Sequence, residues 1–189
     1  MIGISGIARS GKDTMATCLS SRIKADKHHK NVKILSLANE LKKDLNHLIK
    51  KQFGFSAFTD ITEEKNLIRP ILVSYGEQMK LKYGKDIWIR KLAEKMDKSK
   101  FNIIADVRFD FEIDFLKENF DAFIVHITKE NNVEPNDIEK INDPLVRAKS
   151  DLRHIWPPYE PDQMDLCDGH ASIVWQMIHE GYKEKWKQI

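Results

Sequence analysis

Apolar and polar residues follow two different rhythms along the chain, and the switch between them divides it into short strands and longer helices. Residues 1–5, Met-Ile-Gly-Ile-Ser, are a short apolar run that predicts a buried strand. From Lys12 to Ala25 the apolar positions Met15, Cys18, Leu19 and Ile23 recur at helical spacing. A polar stretch (26–31) leads to Val-Lys-Ile-Leu-Ser-Leu at 32–37, a second predicted strand. Residues 40–53 put Leu41, Leu45, Leu48 and Ile49 on one helical face. Helical spacing resumes over 63–83, where Pro70 is expected to bend or divide the helix, and again over 86–96 with Ile87, Trp88, Leu92 and Met96. The most strand-like stretch is 101–107, Phe-Asn-Ile-Ile-Ala-Asp-Val, followed by a predicted helix (111–119) and strand (122–127). This alternation predicts an α/β fold, a parallel sheet with helices on both faces and ligands at the C-terminal strand ends.

Beyond residue 127 the rhythm fades. The span 128–165 is polar and holds Pro135, Pro144, Pro157, Pro158 and Pro161. Such a span inside a compact domain predicts a lid or binding loop, with ordinary surface structure as the alternative. A last helix (171–186) is expected to turn Ile173, Val174, Met177 and Ile178 to the core. The 189 residues fit one domain, 1–189.

Composition narrows the function classes. Lys+Arg number 31 against 29 Asp+Glu, a formal charge of +2 that gives no footprint for a nucleic-acid polymer. No apolar run approaches membrane-spanning length, and a strand that starts at residue 1 leaves no place for a signal peptide, so a cytoplasmic location is expected, the host cytoplasm if the source is viral. Cys18 and Cys167 are expected to be buried free thiols. His28-His29 lacks a second pair at ligand spacing and is not expected to hold a metal. The run Trp156-Pro-Pro-Tyr159 reads as a rigid loop packed by its own aromatics.

The chemistry concentrates in Gly6-Ile7-Ala8-Arg9-Ser10-Gly11-Lys12-Asp13-Thr14, a glycine-bracketed loop between the first strand and the first helix. Gly6 lets the chain turn out of the strand, and Gly11 lets the backbone approach phosphates without a Cβ in the way. The N–H groups between them can form an anion nest at a helix N-terminus, and Lys12 adds a mobile charge for the β- and γ-phosphates. The pattern asks for Ser or Thr directly after the lysine; here Asp13 intervenes before Thr14, so a metal is expected through Asp13 or water. Asp106, near the end of a buried strand, is a second candidate for Mg²⁺, and Arg108 two residues on is expected to point to the same side, toward phosphates. Arg9 stands within the loop and can fold over a nucleotide or simply face solvent. Arg69, Lys80 and Lys82 fall in the helical segment 38–97, where an acceptor would bind, although a charged helix face looks the same. Arg147 and Arg153 fall in the expected lid, 128–165, whose closure would bring them onto the transferring group.

These residues resemble the bacteriophage-type deoxynucleoside monophosphate kinases, within the P-loop kinase superfamily. The resemblance rests on the loop core Arg9-Ser-Gly-Lys-Asp-Thr14, supported by Ser36-Leu-Ala-Asn-Glu-Leu-Lys42, Arg69-Pro-Ile-Leu72, Tyr75-Gly76, Gly84-Lys-Asp-Ile-Trp88 and Ile104-Ala-Asp-Val-Arg-Phe109, and covers residues 1 to about 120. It implies an adenylate-kinase-like P-loop fold and ATP-dependent phosphorylation of a (deoxy)nucleoside monophosphate. Lys12 and the loop amides would hold ATP, Asp106 would support Mg²⁺, and Arg108 with the Arg69 segment would serve the acceptor. Asn39 stands where that family commonly has aspartate, Lys80 stands near an expected arginine, and the lid after residue 128 does not match. An acceptor phosphate is already ionised near neutral pH and needs positioning and charge neutralisation more than a base, so Asn39 suits a phosphate acceptor better than an alcohol, unless Asp13 or Asp106 serves as base. The partner expected is thus a nucleoside monophosphate, with no membrane or nucleic-acid polymer and with room for a homodimer. The alternatives are another small-molecule P-loop kinase, such as a phosphomevalonate kinase whose loop can also read Ser-Gly-Lys-Asp, or a non-catalytic nucleotide-binding protein.

Overall fold

The computed structural model describes residues 1–25, 31–132, 134–159 and 163–186, the last five without their side chains. His28 and His29 lie outside the described residues. The chain packs as two compact units, Met1–Leu35 with Asp97–Ile189, and Ser36–Met96.

The first unit is built on five parallel strands: β1 (Ile2–Ser5), β2 (Val32–Leu35), β3 (Phe101–Val107), β4 (Phe123–Lys129) and β5 (Leu152–Trp156), in the order β2-β3-β1-β4-β5. Period-two alternation sorts the central residues onto two faces. Ile2, Ile4, Ile103, Ala105, Val125 and Ile127 pack with Met15, Cys18, Leu19 and Ile23 of α1 (Lys12–Ala25) and with Cys167, Ala171, Val174 and Ile178 of α7 (Met164–Trp186). The other face is covered by α5 (Asp110–Phe120) and α6 (Asp137–Lys149), which bury Ile113, Leu116 and Val146. Gly3 sits beneath α5, where a Cβ would come within 2.7 Å of Ile124 Cδ1 and 3.5 Å of Leu116 Cδ1. This is a three-layer α/β fold, with helices on both faces of a parallel sheet.

Several boundaries differ from those the pattern predicts. The second strand stops at Leu35; Ser36 is already the N-cap of α2 (Leu37–Phe53). The final helix begins at Met164 rather than 171 and turns Cys167, Ala171, Val174 and Ile178 inward, while Ile173 and Met177 are 47% and 44% exposed. The largest departure is in 128–165. Residues 128 and 129 extend β4, 137–149 are α6, and 152–156 are an edge strand of the sheet. Trp156, at the end of that strand, is buried in the core. A span containing a sheet strand is not a lid from end to end. Both cysteines are buried free thiols, and burial pushes Cys18 up to about 12.

The second unit is three helices: α2, α3 (Thr62–Tyr83) and α4 (Ile87–Glu94). Leu45, Ile49, Ala57 and Ile68 form its small core with Phe55, Ile71, Leu72 and Tyr75. Leu48, expected on that face, is 48% exposed. Pro70 lies inside α3 without dividing it. Burial is the largest single influence on Glu40 and acts to raise its pKa, but Lys43 and Lys95 together outweigh it and hold the carboxyl below its ordinary value. Among the described residues no helix is long and apolar enough to cross a membrane.

Candidate nucleotide site

The loop between β1 and α1 has the backbone of an anion nest. Gly6 and Gly11 take φ of 138° and 83°, and Arg9 between them takes 59°, the left-handed region that a side chain enters only under constraint. Both glycines are also required by space: a Cβ on Gly6 would come within 2.4 Å of the Ile127 carbonyl oxygen, and one on Gly11 within 2.3 Å of the Trp156 ring. A glycine-bracketed turn of this kind at the start of α1 is where backbone N–H groups and the helix dipole favour an anion.

Lys12 closes this loop on itself. Its Nζ donates to the carbonyl oxygens of Gly6 at 2.8 Å and Ile7 at 2.6 Å. Burial, followed by the charge of Arg108, brings its pKa down to about 8, while Asp13, Glu139 and Asp106 pull the other way. Among the described residues Lys12 makes no ion pair, and both of its hydrogen bonds go to neutral carbonyls. Asp106 is 8% exposed at the end of β3, and Asp13 is exposed in the first turn of α1. Among the described residues no three His, Cys, Asp or Glu side chains form a cage for a metal. Two carboxylates flanking Lys12 nonetheless fit Mg²⁺, which completes its shell with water and phosphate oxygens rather than with protein ligands alone.

Arg108 falls outside β3, which ends at Val107, and the β1–β3 register shifts between Gly3 and Ser5, so strand alternation does not aim it. It is exposed, its backbone N–H held by Glu112 at 2.7 Å, and it still reaches the site: Arg108, Gly6, Ile7, Val107, Glu139, Asp143 and Val146 line one open cleft beside the loop. Arg9 is exposed. Arg147 and Arg153 are exposed neighbours, Arg153 Nε donating to the Arg147 carbonyl at 3.1 Å. Ile7, Ala8 and Thr14 are half-buried, and Ser10 is fully buried with no hydrogen-bond partner for its Oγ among the described residues. In the helical unit, Asn39 is half-buried in the first turn of α2, Arg69 is exposed, and Lys80 pairs with Glu77 at 3.0 Å.

Several residues at the loop escaped sequence reasoning. Trp156 Nε1 donates to the Ser10 carbonyl at 2.9 Å, and Tyr159 OH to Thr14 Oγ1 at 2.9 Å. On the opposite side Glu139 Oε1 accepts from the Ala8 N–H at 2.7 Å, and Asn132 Nδ2 donates to the Ala8 carbonyl at 3.0 Å. His126, buried in β4, lies 3.2 Å from Ser5 Oγ through Nδ1 and 3.7 Å from Asp143 through Nε2. Burial, reinforced by Arg147, Arg153 and Lys12, lowers its pKa to about 4, so at neutral pH it is uncharged and the Asp143 contact is not an ion pair. Asp143 is itself raised by burial. One signal for this flank was available: Asn136-Asp-Ile-Glu139 is a capping box, and both of its reciprocal bonds form at the start of α6.

A search of curated proteins finds no match. Among solved structures, a dephospho-CoA kinase from Campylobacter jejuni is 15% identical, with 96% of this chain and 98% of that one covered and a TM-score of 0.49. A thymidylate kinase from Ehrlichia chaffeensis is 16% identical, with 93% and 98% covered and a TM-score of 0.35. A family profile described as phosphomevalonate kinase matches residues 4–122, from the loop strand through α5. More than half of the chain, including the loop, Lys12, Asp106 and Arg108, lies in that match, and the chain belongs to the phosphomevalonate kinase family of P-loop kinases.

Proposed function

We propose that the protein transfers the γ-phosphoryl group of ATP to the phosphate of a small phosphomonoester, with a (deoxy)nucleoside monophosphate as the acceptor. The observation that carries this reading is Lys12, folded onto the loop carbonyls of Gly6 and Ile7 and lowered to about 8. Such a lysine gains by exchanging neutral carbonyl partners for anionic oxygens. Loop N–H groups and Lys12 would hold the triphosphate, and Arg108 at the edge of the cleft would neutralise charge that builds up between donor and acceptor. Asp106 and Asp13 would hold Mg²⁺, which supplies further charge neutralisation across the phosphates. The acceptor oxygen is already ionised, so positioning and charge are the whole task; Asn39, Arg69, Lys80, Arg147 and Arg153 are the side chains proposed for it. The deoxynucleotide acceptor rests on the resemblance of the loop core and of Ile104–Phe109. The family match supports a second reading, with a mevalonate phosphate as acceptor, and the chemistry is the same in both.

The test is ADP release from MgATP with each common nucleoside and deoxynucleoside monophosphate, and with mevalonate phosphate. Transfer to at least one nucleotide is expected, and transfer to mevalonate phosphate alone would replace the first reading by the second. Lys12→Ala should lose at least about 10²-fold in turnover with its fold intact. A folded wild-type protein inert with every acceptor removes the proposal and leaves a non-catalytic nucleotide binder.

A further inference from the structure

An anion nest works by leaving its N–H groups for the ligand; here the Ser10 N–H turns back to the Ile7 carbonyl within the loop at 3.3 Å, and a second N–H is taken by a carboxylate from another element. The Ala8 N–H donates to Glu139 Oε1 at 2.7 Å. The other oxygen of that carboxylate accepts from the Asn136 backbone at 3.2 Å, and the Asn136 side chain caps the Glu139 N–H at 3.0 Å. Glu139 therefore ties the first turn of α6 to the phosphate loop through one charge-assisted bond. Its charge also acts on Lys12, in the place where a phosphate charge would act.

The helix it tethers is held largely by polar groups. Asp143 faces His126 at 3.7 Å, Lys149 reaches Asp110 at 3.1 Å and also pairs with Asp114, and Val146 is the one buried apolar side chain of α6 among those described. Its Ile138, Ile141 and Leu145 are 57%, 70% and 49% exposed. Polar contacts at a surface exchange with water at small cost, so α6 can shift where a helix such as α1 cannot.

We propose that Glu139 is a built-in phosphate surrogate: in the free protein it occupies the Ala8 amide and latches α6 to the loop, and an arriving triphosphate displaces it. One N–H cannot serve a carboxylate and a phosphate at once, and two anions at the same spot repel. Every triphosphate that binds must first release the latch, which lowers its apparent affinity by the fraction of molecules unlatched. Release frees α6, with Arg147 on it, at the moment the donor site fills. The inference rests on the nucleotide reading of the loop.

Glu139→Gln separates the two. Glutamine keeps the length and the capping role but turns a charge-assisted bond into a weaker neutral one. The probe is the β,γ-imido analogue of ATP with Mg²⁺, titrated by calorimetry, with hydrogen exchange followed over residues 137–149. The variant should bind the probe about fivefold tighter or more, a gain set by the difference between charged and neutral hydrogen bonds. In the wild type the probe should speed exchange in the first turns of α6; in the variant that exchange should be fast beforehand and change little. Binding by the wild type with no gain in the variant, or exchange over α6 that the probe leaves unchanged or slows, overturns the latch and leaves the nucleotide reading standing. Failure of both proteins to bind removes the nucleotide reading and the latch with it.

Discussion

The phosphate loop has two flanks, and they are built from opposite chemistry. On one, Trp156 and Tyr159 pack against Gly11 with their rings 4.9 Å apart, and each donates one hydrogen bond to the loop or to the start of α1. On the other, Glu139, Asp143 and Arg108 line an open cleft and His126 stands buried behind it. The aromatic flank belongs to the core and fixes the loop in one shape; the acidic flank is polar, partly wet and displaceable. A phosphate site needs both, because nest geometry must be held rigidly while the place of the arriving charge must be cleared. The difference can be tested from each side.

The largest effect is expected on the aromatic flank. Trp156 is 1% exposed and fills the space over Gly11, so Trp156→Ala should cost about 3–5 kcal/mol of stability, the usual range for a large aromatic removed from a core. Urea denaturation at neutral pH measures it. A loss below about 1 kcal/mol would show the site collapsing around the gap, and the two flanks would then be equally soft.

The acidic flank should respond to pH instead. His126 has a folded-state pKa of about 4, well below its ordinary value of 6.5. Between these values the unfolded chain binds a proton that the folded chain does not, so stability falls as pH drops from about 6.5 to 4 and is unaffected by this group above 6.5. The full loss is about 3 kcal/mol, from 1.36 kcal/mol per pKa unit. Asp143, raised by burial, takes up its proton more readily in the folded state and opposes the trend at its acid end. Denaturation midpoints of wild type and His126→Gln, compared between pH 7.5 and 4.5, should diverge only below about 6.5. Parallel curves would mean that His126 titrates normally, and that the flank is wetter than its burial indicates.

The contrast also explains what could be read from sequence. The loop, the α1 face of Met15, Cys18, Leu19 and Ile23, and the strand 101–107 were legible because one periodicity or one spacing determines each. Asp106 was legible as a strand-end carboxylate beside a lysine loop. Most of both flanks, in contrast, comes from the span 128–165, where the signals conflict. Pro144 inside α6 masks a helix that its capping box begins. Edge strand β5 pairs with β4 alone and leaves Ile155 56% exposed, so apolar alternation never develops. His126 is hidden between Val125 and Ile127 in a strand that otherwise reads as core. The capping box marks Glu139 only as the third residue of a helix; its bond to the Ala8 N–H depends on where α6 docks rather than on its neighbours in the chain.

The smallest effect concerns the end of the aromatic flank. Tyr159 OH donates to Thr14 Oγ1, and Lys129 Nζ stands 4.4 Å from the centre of the tyrosine ring. Tyr159→Phe keeps the ring, its packing on Trp156 and the cation contact, and removes one neutral, half-buried hydrogen bond. The expected cost is about 1 kcal/mol. Thr14→Val removes the same bond from the other side, so the double variant should lose less than the sum of the two, with a coupling of about 0.5–1.5 kcal/mol. If this flank is a fixed brace, the bond is present in the free protein and the coupling appears in denaturation without any nucleotide. Coupling that is absent from the free protein and appears only with the β,γ-imido ATP analogue would place Tyr159 on the moving side, and the brace would reduce to Trp156 alone.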